Sequence, residues 1–157
     1  MSLDDLYREI ILDHYAHPRN HGRLEHADIS VEGANPLCGD ELLLHARVED
    51  GVIAEVRFDG RGCSISQASA SMMTEEMRGK RLDEAHTLVE QFKAMMHGQS
   101  SALDDTDLAA LQGVRKFPVR VKCATLAWVA LDQGIDEFAK GAATATSAAP
   151  ATTESVE

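Results

Sequence analysis

The chain has no apolar run approaching the eighteen or so residues that a membrane span requires, and its start, MSLDDLYREI, lacks the basic-then-apolar order of a signal peptide. The expectation is a cytoplasmic protein with no membrane partner. Basic side chains are outnumbered, 15 Lys and Arg against 26 Asp and Glu, and the formal charge of −11 leaves no clustered basic face for nucleic acid. Only three cysteines occur, Cys38, Cys63 and Cys123, with no C-x-x-C pair among them. Three thiols cannot all pair with one another, and a reducing cytoplasm disfavours disulfides, so a disulfide framework is excluded in favour of thiols or metal ligands. Internal repeats are absent, and GCSIS does not supply the G-x-S-x-G of a nucleophile elbow.

What is present fits one domain: 157 residues, 44% of them hydrophobic, enough for a core without covalent staples. Leu3, Leu6, Ile10 and Ile11 recur at helical spacing before HPRNHG, which predicts an amphipathic helix over 3–16. Three strand-like runs follow, DISVEG, ELLLHARVED and VIAEVRFDG, and EDGV between the last two is a hairpin turn. In the second run Leu42, Leu44, Ala46 and Val48 share a face, with His45 on the other. In the third, Val52, Ala54, Val56 and Phe58 alternate against Ile53, Glu55, Arg57 and Asp59.

From CSISQASASMMTEEMRG the period becomes helical and stops at Gly79. A second helix follows over LDEAHTLVEQFKAMMHG, a short one around Asp107 to Leu111 ends before Pro118, and the last long one is VRVKCATLAWVALDQG. Strands first and helices afterwards predict an α+β fold, a small antiparallel three-stranded sheet with helices packed on one face. The domain is expected over 1–140. Residues 141–157, rich in Ala and Thr, offer nothing large to bury and are expected to be a disordered tail.

Each cysteine lies at an element boundary or near a helix start: Cys38 in the loop GANPLCGDEL, Cys63 where the third strand hands over to a helix, and Cys123 in the first turns of the last helix. Helix N-termini and nearby cations such as Arg120 and Lys122 favour thiolates. Three thiolates and Asp40 would make a four-coordinate Cys3Asp site, suited both to Zn²⁺ and to an iron-sulfur cluster. The long separations leave the alternative open that Cys63 and Cys123 are small buried apolar residues. Among the seven histidines, His14, His17, His21 and His26 are expected in surface or packing roles, and His86 and His97 in solvent. Met72, Met73, Met95 and Met96 read as core filler.

Four segments, LYREIILDHYAHPRNHG, GANPLCGDEL, FDGRGCSISQASASMMTE and KFPVRVKCATLAW, resemble in order and spacing the SufU branch of the IscU-like iron-sulfur assembly proteins. The resemblance spans residues 3 to about 140. It implies that Cys38, Asp40, Cys63 and Cys123 bind one metal. Lys122 stands where scaffold proteins carry a histidine, and ALDDTDLAALQGVRKFPVRV is similar to the added segment of the SufU branch. Both features favour zinc and sulfur transfer over a scaffold that assembles a [2Fe-2S] or [4Fe-4S] cluster on the same ligands. The resemblance further implies that Cys38 accepts persulfide sulfur from a SufS-type cysteine desulfurase, that downstream Suf components receive it, and that Arg120 balances charge near Cys38 and Asp40.

Overall fold

The computed structural model describes residues 2–37, 39–100, 102–104 and 106–141, together with the backbone of 145–146 and 151–152. The first helix, α1 (Leu3–Ala16), starts at a reciprocal cap: Asp5 N–H donates to Ser2 Oγ at 3.1 Å and Ser2 N–H to Asp5 Oδ2 at 3.4 Å. This satisfies two of the donors that a helix start leaves bare. Three strands form an antiparallel meander, β1 (Ile29–Asn35), β2 (Asp40–Glu49) and β3 (Val52–Arg61). The β2–β3 turn places both Asp50 and Gly51 at positive φ, 53° and 76°, the backbone a two-residue hairpin of the I′ type demands.

The α+β expectation holds, and the three expected strands appear in the expected order. The facing of β3 differs at one end. The ladder shifts between Arg47 and Val48, so that Ala54 is the extra residue between the pairs Arg47↔Glu55 and Val48↔Ile53. That bulge reverses the alternation, and Ile53 joins Val56 and Phe58 in the core instead of lying with Glu55 and Arg57.

The edges of the meander are covered. Residues 20–22 bond to Phe58 on the β3 side, through Gly22 N–H to Phe58 O at 2.8 Å and Phe58 N–H to Asn20 O at 3.1 Å. On the β1 side, the two-residue segments β4 (Ala145–Thr146) and β5 (Ala151–Thr152) run parallel to β1. Of the tail expected over 141–157, residues 142–144, 147–150 and 153–157 lie outside the described residues.

Helices α2 (Ser64–Met77), α3 (Leu82–Met96) and α4 (Pro118–Ala139) complete the domain with a 3-10 helix over Asp107–Val114. The short helix expected there is 3-10 and runs three residues further, to Val114. Helix α4 continues past Gly134, where the sequence pattern stops it. A Cβ at Gly134 would sit 2.6 Å from Ile29 Cγ2 and 3.3 Å from Val31 Cγ1, so the glycine lets the helix press on β1. Helix α2 is buried on nearly all sides, and its Ala68, Ser69, Ala70 and Ser71 allow close approach by neighbours. Met72, Met73, Met95 and Met96 are core residues, as expected.

Several polar groups in this interior are paired across elements. Ser69 Oγ donates to Ala124 O at 2.5 Å and accepts the Trp128 Nε1–H at 3.0 Å, locking α2 to α4, while Trp128 stacks on Phe92 with centroids 4.2 Å apart. His14, only 1% exposed, bonds Ser71 Oγ through Nδ1 at 2.8 Å and donates from Nε2 to Asp107 Oδ2 at 3.0 Å, joining α1, α2 and the 3-10 helix. Its role is packing. Among the described residues no helix is long and apolar enough to cross a membrane.

Because the single tryptophan donates to Ser69, Ser69→Ala strands a buried indole N–H and removes the second bond to the Ala124 carbonyl. The expected cost is about 1–3 kcal/mol, read in urea unfolding followed by Trp128 fluorescence; an unchanged midpoint would show that the bridge contributes nothing.

Candidate metal centre

Three chain segments converge at one end of the sheet. Asp40 opens β2, Cys63 is the residue that caps α2, and Cys123 lies in the second turn of α4 behind Pro118 at its start. One ligand atom from each lies within 4.8 Å of the other two. Two thiolates each about 2.3 Å from a zinc ion stand at most about 4.6 Å apart, so the spacing suits a single small cation. Of the four residues expected to form the site, the structure thus brings together Asp40, Cys63 and Cys123. Cys38 lies outside the described residues; its chain neighbours Leu37 and Gly39 are exposed, Leu37 at 59%.

The Asp40 side chain is 1% exposed and unevenly satisfied. Oδ1 accepts the Cys63 N–H at 2.9 Å, whereas Oδ2 is buried with no hydrogen-bond partner among the described residues. A bare buried carboxylate oxygen is costly unless a cation or donor meets it, and an oxygen of this carboxylate lies within 4.8 Å of both sulfurs. The donor set of one carboxylate and two thiols therefore fits a thiophilic divalent metal such as zinc.

Local backbone chemistry prepares the sulfurs. Cys63 serves as the N-cap of α2: its Sγ accepts the Ser66 N–H at 3.5 Å, the place a Ser or Asp oxygen usually takes. The Cys63 thiol is pulled down to about 5, chiefly by hydrogen bonding with Cys123 and further by the Ser66 N–H, against burial and the Asp40 charge, which push it up. Cys123 is fully buried and accepts the Asn35 Nδ2–H at 3.7 Å. Gly62 makes the junction possible, since a Cβ there would run into Ser66 Oγ and stand 2.6 Å from Asp40 Oδ1.

Arg120 is exposed on the first turn of α4, three residues before Cys123, and forms no ion pair among the described residues. Three participants escaped the sequence reading. Asn35 and Ser66 act through hydrogen bonds, and Gly62 through the absence of a side chain; the Asn-Pro pair at 35–36, a turn signal, could have flagged the first. A second group of donors, His86, Glu90 and Asp132, also lies within 4.8 Å. It is an exposed ion pair: Asp132 bonds His86 Nδ1 at 2.8 Å and raises the His86 pKa, joining α3 to α4.

In metal-free protein, the low Cys63 pKa predicts that its alkylation by iodoacetamide holds steady as pH falls from about 8 to 6, then drops near pH 5 as the thiolate takes up its proton. Peptide mapping of the labelled protein checks this. A Cys63 rate that falls about tenfold per pH unit from pH 8 downwards, as for an ordinary thiol, would contradict the arrangement.

With this geometry in hand, comparison with known proteins is informative. Residues 6–145 match the family of NifU-like N terminal domains. The chain is 46% identical over 136 residues to the zinc-dependent sulfurtransferase SufU of Bacillus subtilis (strain 168), covering 85% of this chain and 92% of that protein. It is 38% identical over 138 residues to the iron-sulfur cluster assembly scaffold protein IscU of Thermotoga maritima, covering 86% and 96%. A crystal structure from Fervidobacterium islandicum AW-1, described as a proposed iron-sulfur cluster assembly scaffold protein for a SUF system, superimposes with a TM-score of 0.78 at 33% identity, covering 85% of this chain and 99% of that one. The fold, the converging Asp40, Cys63 and Cys123, and these relatives give one conclusion: the chain belongs to the NifU-like N-terminal domain family, with SufU and IscU proteins among its relatives.

Proposed function

We propose that this protein is a zinc-dependent sulfurtransferase that accepts persulfide sulfur on Cys38 from a SufS-type cysteine desulfurase and relays it into iron-sulfur cluster assembly. The observation that carries this reading is the buried convergence of Asp40, Cys63 and Cys123, with an unsatisfied Asp40 oxygen, directly beside an exposed loop bearing the third thiol. The likeness to a zinc-dependent sulfurtransferase supports it. Cys38, Asp40, Cys63 and Cys123 would hold the metal, which when bound keeps its thiol ligands deprotonated and shields them from oxidation.

The residues divide the work by burial. Cys123 and Asp40 are sealed inside, and Cys63 is half-buried as a helix cap, so they form the fixed wall of the site. Cys38 follows exposed Pro36 and Leu37 and precedes exposed Gly39 in the chain. In the transfer, the Cys38 thiolate attacks the outer sulfur of the desulfurase persulfide, R–S–SH. A Cys38 S–S bond forms, the donor S–S bond breaks, and the desulfurase thiolate leaves; the outer sulfur moves with its proton and no net oxidation occurs. Arg120, exposed on the first turn of α4, would offer its guanidinium to the anionic sulfurs exchanged there.

With ³⁵S-cysteine and the desulfurase, wild-type protein should gain label on Cys38. Cys38→Ala should lose at least about tenfold in label and in stimulated desulfurase turnover. Arg120→Ala should slow transfer severalfold with zinc content unchanged; equal transfer in that variant would remove Arg120 from the reaction.

A scaffold reading is favoured by one observation, the 38% identity to an IscU scaffold protein. Metal analysis of anaerobically purified protein separates the two. One zinc per chain is expected here; iron with acid-labile sulfide in place of zinc would establish the scaffold.

A further inference from the structure

Asn35, the last residue of β1, is fully buried, and both ends of its amide are engaged at the site. Nδ2 donates to Cys123 Sγ at 3.7 Å, and Oδ1 accepts the Leu37 N–H at 3.2 Å. The orientation of the amide follows from the second bond. A backbone N–H demands an acceptor, so the oxygen faces Leu37 and the NH2 group faces the sulfur. In the β1–β2 register Asn35 lies opposite Asp40, so the turn bearing Cys38 is closed by two buried site residues. A single side chain thus ties that turn to the thiol on α4.

Burial alone does not protect Cys123 as a sulfur acceptor. If Cys38 and Cys123 share one metal, as proposed above, the outer sulfur of a Cys38 persulfide could pass inward without any approach from solvent. In that step the Cys123 thiolate attacks Cys38–S–SH, a Cys123 S–S bond forms, the Cys38 S–S bond breaks, and the Cys38 thiolate leaves. A hydrogen bond donated to a thiolate draws charge from it and weakens it as a nucleophile.

We propose that Asn35 is a positioning residue that decides which thiol keeps the sulfur: its N–H damps Cys123, while its oxygen holds the turn that carries Cys38. The inference rests on the sulfurtransferase reading above. Asn35→Asp retains the oxygen that accepts Leu37 N–H and loses the donation to sulfur. Asn35→Leu removes both bonds at similar volume, without opening a cavity.

Two measurements on wild type and both variants test this. The first is the sulfur-to-cobalt charge-transfer band of Co²⁺-loaded protein. The second is a mass-spectrometric map of sulfur after mixing with desulfurase and cysteine. In both variants the band should move to lower energy, and the share of sulfur on Cys123 should rise severalfold. If Asn35→Asp takes up no cobalt, Asn35→Leu decides by the same two readings. An unchanged band, or a shifted band with an unchanged sulfur map, overturns the assignment. Sulfur on Cys38 with identical maps in all three proteins defeats this inference alone, whereas a wild-type chain that takes up no sulfur defeats the sulfurtransferase reading and this inference with it.

Discussion

The Asp40 carboxylate is the constraint around which the working end of the molecule is arranged. One oxygen accepts the Cys63 N–H at 2.9 Å and so pins the start of β2 to the junction of β3 and α2. The other is buried and without a partner among the described residues, and the carboxylate as a whole lies with Cys63 and Cys123, one oxygen of it within 4.8 Å of both sulfurs. A carboxylate in that condition is tolerable only where positive charge or a donor compensates it. A cation held among Asp40, Cys63 and Cys123 would offset that buried charge.

The rest of the fold holds this corner still. Helix α4 reaches β1 closely because Gly134 has no side chain to keep Ile29 and Val31 away, and the same helix carries Cys123. Helix α2 is fastened to α4 by the Ser69 bridge to Ala124 and Trp128, and to α1 by Ser71 and His14. The sulfurs of Cys63 and Cys123 are thereby held by rigid elements.

Much of the fold was legible locally. Period-2 and period-3.6 patterns and the Asp50-Gly51 turn depend on neighbouring residues, so α1, the meander and the helices were readable in order. The departures arose where distant contacts overrule local preference. Ile53 enters the core because a bulge against β2 changes parity, and Gly134 continues a helix because a strand from elsewhere lies against it. His14 is similar: a histidine on an amphipathic helix gives no local sign that Ser71 and Asp107 will enclose it.

The same division applies to the site. Sequence alone determined the candidate ligands, Cys38, Asp40, Cys63 and Cys123, because thiols are few and their settings chemically distinctive, and it placed the chain in its family by four separate segments. The tertiary structure decided that Asp40, Cys63 and Cys123 meet, which sulfur caps a helix, and that Asn35 and Gly62 belong with them. Those facts depend on hydrogen bonds and close approaches between residues far apart in the chain, and no pattern of residue types along a sequence encodes the distance between two side chains that only folding brings together.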